Sequence, residues 1–236
     1  MTAAGPVALV GSSEYLPVLD PLERRLLAGR PPRFVQLATA AAPEGQQSLA
    51  RWHALGRAAA ERLGVQQVVV PVVDRMSADD PEIAALVEGA GLVYLSGGSP
   101  PFLAATLHGT AVWRAIADAW HGGAALAGCS AGAIALTDHV PDLRHPLRAA
   151  EPGLAAVPHL RVLPHFDRFA GRLPDVLLTR LVDTPPGVTV VGVDEDTALV
   201  GGPTTWEVVG QQSVWVLTAD GRTEHGTGSV LETPTG

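Results

Sequence analysis

Along the first 130 residues, short apolar runs alternate with amphipathic stretches. PVALVGSS (6–13), RFVQLATA (33–40), QQVVVPVV (66–73) and GLVYLSGG (91–98) read as strands, and GAALAG (123–128) as a shorter one. Runs that are apolar throughout, rather than every second residue, are what strands covered on both faces show. Residues 46–63, 81–89, 99–121 and 130–136 carry the helical pattern between them, with 99–121 forming one or two helices. This alternation predicts a three-layer α/β/α architecture around a mostly parallel sheet. After residue 136 the rhythm changes. Residues 137–158, rich in Pro, Asp, Arg and His, read as a long irregular excursion. In a compact domain such a segment is more often functional than idle. A strand at 160–164, a helix at 168–182 and strands at 188–193, 197–201, 204–210 and 213–219 follow. Gly-Gly, Gly-Gln and Asp-Gly turns separate the last of these, which predicts antiparallel pairing at one edge of the sheet. One domain is expected over residues 1–236, with 221–236 as a loosely ordered tail.

Composition narrows the chemistry. All 16 basic residues are arginine, and the chain contains neither lysine nor asparagine. Schiff-base chemistry and a Walker A loop, which both need a lysine, are thereby excluded. A net charge of -8 leaves no basic face to displace counterions from a phosphate backbone, so no nucleic acid partner is expected. Cys129 is the single cysteine, which rules out an intramolecular disulfide and a cysteine-based zinc cluster. No apolar run is long enough to span a bilayer, and no basic segment leads an apolar one at Met1. A cytoplasmic protein with no membrane contact is the expectation.

The strongest local signal is Gly128-Cys129-Ser130-Ala131-Gly132, a G-x-S-x-G between an apolar strand and a helix. A serine there sits on a tight, strained turn that needs small neighbours and pushes Oγ into the open. The helix N-terminus adds free N–H groups suited to an oxyanion, with Ala131 the natural first donor. Ser96-Gly97-Gly98-Ser99 follows another strand, at the carboxyl edge where open α/β sheets gather ligands, and Gly98 is the candidate second donor. A serine needs a base. Of the eight histidines, His165 in Leu163-Pro164-His165-Phe166-Asp167 stands at a strand end near the same edge, with His145 and His159 as second choices. The orienting acid is sought in Asp194-Glu195-Asp196, after another apolar strand, and the pattern alone leaves Asp194 and Glu195 undecided.

Taken together, YLSGGSP (94–100), GGAALAGCSAGA (122–133), LPHF with GRL downstream (163–173) and VGVDEDTAL (191–199) resemble the peptidase E (aspartyl dipeptidase) and cyanophycinase family of serine peptidases. The resemblance implies a class I glutamine amidotransferase-like, flavodoxin-like fold. It also implies Ser130 as nucleophile, His165 as base, Glu195 as acid, and Gly98 and Ala131 around the oxyanion. The chain order nucleophile, histidine, acid differs from that of α/β-hydrolases. Glutamine amidotransferases carry a cysteine nucleophile on a similar elbow, but here Cys129 is the x residue and leaves the turn in another direction. Asp138 or Asp142 stands nearest to a further acid sometimes assigned a role in such proteins.

Departures matter too. Cyanophycinase-like proteins tend to carry Gly-Gly-Asp-Gln and Asp-Gln-His-Phe followed by several arginines. Here the stretches read Gly97-Gly98-Ser99-Pro100 and Leu163-Pro164-His165-Phe166, with Arg168 and Arg172 following. This points away from cyanophycin. Ser99, Arg168 and Arg172 are the substrate-binding candidates, the arginines as a clamp on a substrate carboxylate. The expected activity is cleavage of an amide bond in an aspartyl-type or other dipeptide through an acyl-enzyme. No metal or cofactor is implied, and a monomer or homodimer is expected. The alternatives are a glutamine amidotransferase-like or other amide or ester hydrolase of a biosynthetic pathway, and a binding protein that retains the fold without the reaction.

Overall fold

The computed structural model describes residues 3–141, 149–169 and 182–234. The first half alternates β1 (Val7–Val10), α1 (Asp20–Leu27), β2 (Arg33–Leu37), α2 (Gln46–Leu63), β3 (Gln66–Val69), α3 (Arg75–Ala78), α4 (Pro81–Ala85) and β4 (Leu92–Leu95). Then come α5 (Pro100–Leu107), α6 (Ala111–His121), β5 (Ala125–Cys129) and α7 (Ala131–Ala135). The remainder is mostly strand: β6 (His139–Val140), β7 (Glu151–Pro152), β8 (Leu160–Pro164), the short α8 (Phe166–Phe169), β9 (Thr189–Val193), β10 (Thr197–Gly201), β11 (Thr205–Gly210), β12 (Ser213–Thr218), β13 (Gly221–Gly226) and β14 (Val230–Glu232).

Strands β1, β5, β4, β2 and β3 are parallel neighbours in that order. Every residue of β1, β4 and β5 is buried, because helices cover both faces. Alternation within the strands then sorts the core into two layers. Val7, Leu9, Val35, Leu37, Val93, Leu95 and Leu126 pack with residues of α5, α6 and α7, such as Leu103, Ile116 and Ile134. Ala8, Val10, Phe34, Tyr94, Ala127 and Cys129 pack on the other face with Leu22 and Leu26 of α1 and Ala59 and Ala60 of α2. The boundaries of α2 agree with the sequence reading at both ends. It stops at Gly64, which adopts the left-handed conformation (φ 71°) that ends a helix at little cost.

The second half differs from expectation. The antiparallel strands do not simply extend one sheet. β10, β11 and β14 join the edge beside β1, but β13, β12, β9 and β8 form a separate four-stranded sheet in which β8 and β9 run parallel. Two ribbons pass from one sheet to the other, β9 into β10 through Asp194–Asp196 and β11 into β12 through residues 210–213, and β13 leads into β14 across the sheets through residues 227–229. Asp196 (φ 55°) and Gly210 (φ 135°) take the left-handed conformations that break each ribbon. Residues 221–232, expected to be loosely ordered, form β13 and β14 instead. β13 is polar and largely exposed, so it carries no apolar alternation to announce it, and β14 is held by Leu231 in the core. The 137–158 excursion contains the short β6–β7 ribbon, and its residues 142–148 lie outside the described residues. So do residues 170–181 of the helix expected at 168–182. No helix among the described residues is long and apolar enough to cross a membrane.

Candidate active site

The carboxyl ends of β5, β8 and β9 meet across the seam between the two sheets. At the end of β5 the chain reverses into α7 through Ser130, whose φ of 50° and ψ of -106° lie outside the regions a side chain prefers. Gly128 and Gly132 make this turn possible. A Cβ on Gly128 would stand 2.5 Å from the Gly132 carbonyl, and one on Gly132 would stand 2.3 Å from the Leu95 carbonyl oxygen. Strand and helix therefore interlock backbone to backbone.

His165, directly after β8, also has a positive φ, 52°. Its Nε2 lies 3.0 Å from Ser130 Oγ, and its Nδ1 lies 2.9 Å from Glu195 Oε1. Such a contact favours the tautomer in which Nδ1–H donates to the carboxylate, leaving the Nε2 lone pair facing the hydroxyl. Side-chain exposures of 33% for His165 and 22% for Glu195 leave the relay partly shielded yet open to a ligand. Positive φ at Ser130, His165 and Asp196 concentrates backbone strain here, on the order of 1–3 kcal/mol per residue, which the surrounding packing must offset.

Glu195 is held on every side. Arg168 donates from Nε to Oε2 (2.9 Å) and brings Nη2 to 2.8 Å from the same oxygen in an ion pair, the Asp167 carboxylate accepts the Glu195 N–H (2.9 Å), and Gln212 Nε2 donates to the Glu195 carbonyl (2.9 Å). The hydrogen bond from His165, with a further contribution from Arg168, holds the Glu195 carboxyl below the usual glutamate range against the opposing effect of burial. Asp194 faces the other way. It accepts from Trp215 Nε1 (3.1 Å to each oxygen) and from Ser213 N–H (3.3 Å), and burial raises its pKa. Geometry thus separates the two acids that the sequence pattern left level.

Of the two amides singled out for an oxyanion, Gly98 belongs to an exposed residue and Ala131 to a buried one. Ala131 is the first residue of α7, and Gly98 is exposed at φ 139°. Among the described residues no acceptor takes either N–H. Only glycine fits at position 98, since a Cβ would meet the Ala40 carbonyl at 2.4 Å.

The remaining candidates fare differently. Ser99 occupies the position before α5 with its N–H donating to the Ala40 carbonyl (2.8 Å), and its side chain makes no capping bond. Arg168, a candidate for a substrate carboxylate, pairs with Glu195 here, because the first turn after His165 brings it beside that acid. Arg172, Asp142 and His145 lie outside the described residues. His159 is buried near Trp206 (6.2 Å between rings), and Asp138 is exposed. Cys129 is fully buried in the layer beneath the sheet, and burial raises its thiol pKa well above the ordinary value. Residues that sequence reasoning passed over are Asp167, Gln212 and Glu14. Each sits next to a strand end or a turn and carries no spacing or pattern that marks it.

The sequence profile of peptidase family S51 matches residues 8–207. The chain belongs to that family. As an S51 member it is a serine-type peptidase, and the matched region contains Ser130, His165, Glu195 and the Ser96–Ser99 loop. The crystal structure of a peptidase from an acI-B1 actinobacterium is 39% identical to this S51 peptidase, with 97% of each chain covered and a TM-score of 0.88. A Listeria monocytogenes EGD-e protein described as a candidate peptidase E superposes at a TM-score of 0.60 with 18% identity, covering 89% of this chain and 98% of its own. That likeness bears on the fold, which is the flavodoxin-like arrangement of peptidase E-like structures. Among curated proteins no relative matches the chain.

The Arg168–Glu195 pair of this S51 peptidase gives a pH-dependent expectation. A carboxyl whose folded pKa is depressed contributes stability above its unfolded pKa, and that contribution is lost as pH falls through the folded value. Replacing Arg168 with alanine removes one of the groups that depress Glu195, so its titration, followed by the NMR carboxyl shift, should move to higher pH. The loss of that stability contribution on acidification should then begin at higher pH than in the wild type. An unmoved Glu195 titration would show that Arg168 does not act on it.

Proposed function

We propose that this S51 peptidase hydrolyses the amide bond of a dipeptide-sized substrate through Ser130, His165 and Glu195 and a covalent acyl-enzyme. The supporting observation is the unbroken relay from Ser130 Oγ to His165 Nε2 (3.0 Å) and from His165 Nδ1 to Glu195 Oε1 (2.9 Å). Ser130 Oγ attacks the carbonyl carbon as its proton passes to His165 Nε2. The resulting oxyanion takes hydrogen bonds from the Gly98 and Ala131 amides. His165 then gives the proton to the leaving nitrogen, the C–N bond breaks, and the amine departs. Water repeats the sequence on the ester, with His165 again as base, and regenerates Ser130. Glu195 keeps the imidazole in its working tautomer and offsets the imidazolium charge.

The substrate class is an N-terminal aspartyl or other short peptide. Arg168 already has a carboxylate partner, so a substrate carboxylate placed there competes with Glu195. Selection for aspartate therefore depends on a cation other than an unpaired Arg168.

The test is a panel of N-terminal aspartyl dipeptides, β-aspartyl dipeptides, neutral dipeptides, glutamine and simple esters, run beside fluorophosphonate labelling with the adduct located by mass spectrometry. Dipeptide hydrolysis with the adduct on Ser130 is expected. Failure to cleave any amide, together with no adduct on Ser130, would overturn the reading.

A further inference from the structure

Behind the elbow lies a carboxylate that the proposed reaction does not use. Glu14 follows β1, in the loop at the carboxyl edge of the parallel sheet, and is 5% exposed. Its Oε1 accepts the Gly97 N–H at 2.8 Å, and its Oε2 accepts the Cys129 S–H at 2.8 Å. Cys129 immediately precedes Ser130, and Gly97 immediately precedes Gly98. One buried side chain therefore joins the two backbone segments that carry the attacking hydroxyl and the outer oxyanion donor.

We infer that Glu14 is a positioning residue, which holds the Gly97–Gly98 peptide against the Ser130 elbow so that the Gly98 N–H meets the developing oxyanion. The inference rests on the Ser130 reading above. Three observations carry it. First, the loop is in register with the nucleophile: a Cβ on Gly97 would lie 3.6 Å from Ser130 Cβ and 3.1 Å from Glu14 Oε1. Second, the Gly97 amide is spent on Glu14, which leaves Gly98, without an acceptor among the described residues, as the amide of the pair open to a ligand. Third, the loop's other anchors reach elsewhere. Ser96 N–H goes to the Leu37 carbonyl (2.9 Å), Ser96 Oγ pairs with Tyr15 Oη (2.7 Å), and Ser99 N–H goes to the Ala40 carbonyl (2.8 Å). Glu14 thus supplies the tie toward the elbow. A carboxyl group suits the task because its two oxygens can serve two donors at once.

The experiment is inactivation of the full-length protein by a fluorophosphonate, resolved into KI and kinact. The variants are Glu14→Gln and Glu14→Met, with Ser130→Ala as control and circular dichroism as the measure of folding. Glutamine keeps a carbonyl oxygen for the Gly97 N–H, so its kinact should stay within about 5-fold of wild type. Methionine fills the same space without an acceptor. Its kinact should fall about 100-fold, the scale of a displaced oxyanion donor, with KI changed by less than about 3-fold. A buried carboxylate with only a structural role would lower thermal stability without this split and without rescue by glutamine. Folded Glu14→Met protein labelled at the wild-type kinact, or glutamine as slow as methionine, would overturn the inference. If the methionine variant does not fold, Glu14→Asp replaces it, since the shorter side chain draws the oxygens back from Gly97. The same loss is then expected, and a wild-type kinact counts equally against the inference. Undiminished labelling of Ser130→Ala would instead overturn the Ser130 reading beneath it.

Discussion

Replacing Ser130 with alanine is expected to reduce amide hydrolysis by about 10⁶-fold and to abolish the fluorophosphonate adduct, while leaving the protein folded. The rate estimate follows from serine peptidases in which removal of the nucleophile costs on the order of 10⁶ in kcat. The folding expectation comes from the local structure. Among the described residues the hydroxyl's hydrogen-bond partner is His165 Nε2, and the imidazole is exposed enough for water to replace it. Alanine also tolerates φ near 50° no worse than serine, and the Gly128–Gly132 interlock is untouched. Stability should therefore change by about 1 kcal/mol or less. Turnover, intact mass after labelling and the thermal midpoint check the three parts separately. Retained hydrolysis would remove Ser130 from the reaction.

Changing Glu195 to glutamine should cost about 10⁴-fold in kcat, the scale seen when a triad acid becomes an amide and the histidine takes the wrong tautomer. Arg168 makes the outcome directional. Its Nε donates to Oε2 and its Nη2 pairs with the same oxygen, so the amide oxygen of a glutamine turns to meet them and the NH2 turns toward His165 Nδ1. The ring then accepts at Nδ1 and carries its proton on Nε2, where the base needs a lone pair. Adding Arg168→Ala releases the amide to rotate, so the double variant should recover part of the lost activity. A double variant no faster than Glu195→Gln alone would show that the arginine does not set the orientation of the amide.

The parallel half of the fold was legible because β1, β4 and β5 are buried throughout and β2 nearly so, and because amphipathic helices such as α1 and α6 carry an apolar stripe. The α2 boundaries follow directly from that periodicity and from Gly64. The elbow was legible for a related reason, since two backbones crossing this closely demand glycine at 128 and 132. The division of the later strands into two sheets was not legible. Alternation along β9–β10 and β11–β12 looks the same whether a ribbon stays in one sheet or crosses to another, and the crossing is made by φ values at Asp196 and Gly210 that the pattern does not encode. The same turn hid the choice between Asp194 and Glu195, because strand alternation does not extend into it. Glu14 escaped notice because a single acid after a strand has no spacing that marks it. Its partners come from Gly97 and Cys129, far away in sequence.

The seam between the sheets has a mechanical consequence. Ser130 rides on one slab of strands, while His165 and Glu195 ride on the other, and the chain passes between the slabs after β5, β9, β11 and β13, most tightly through the crossings at 194–196 and 210–213. Slippage of one slab past the other by about 1 Å lengthens the 3.0 Å serine–histidine contact beyond proton-transfer reach, and a displacement of that size is enough to cost about 100-fold in rate. On the proposed mechanism, loosening of this joint would silence the relay while both slabs keep their strands.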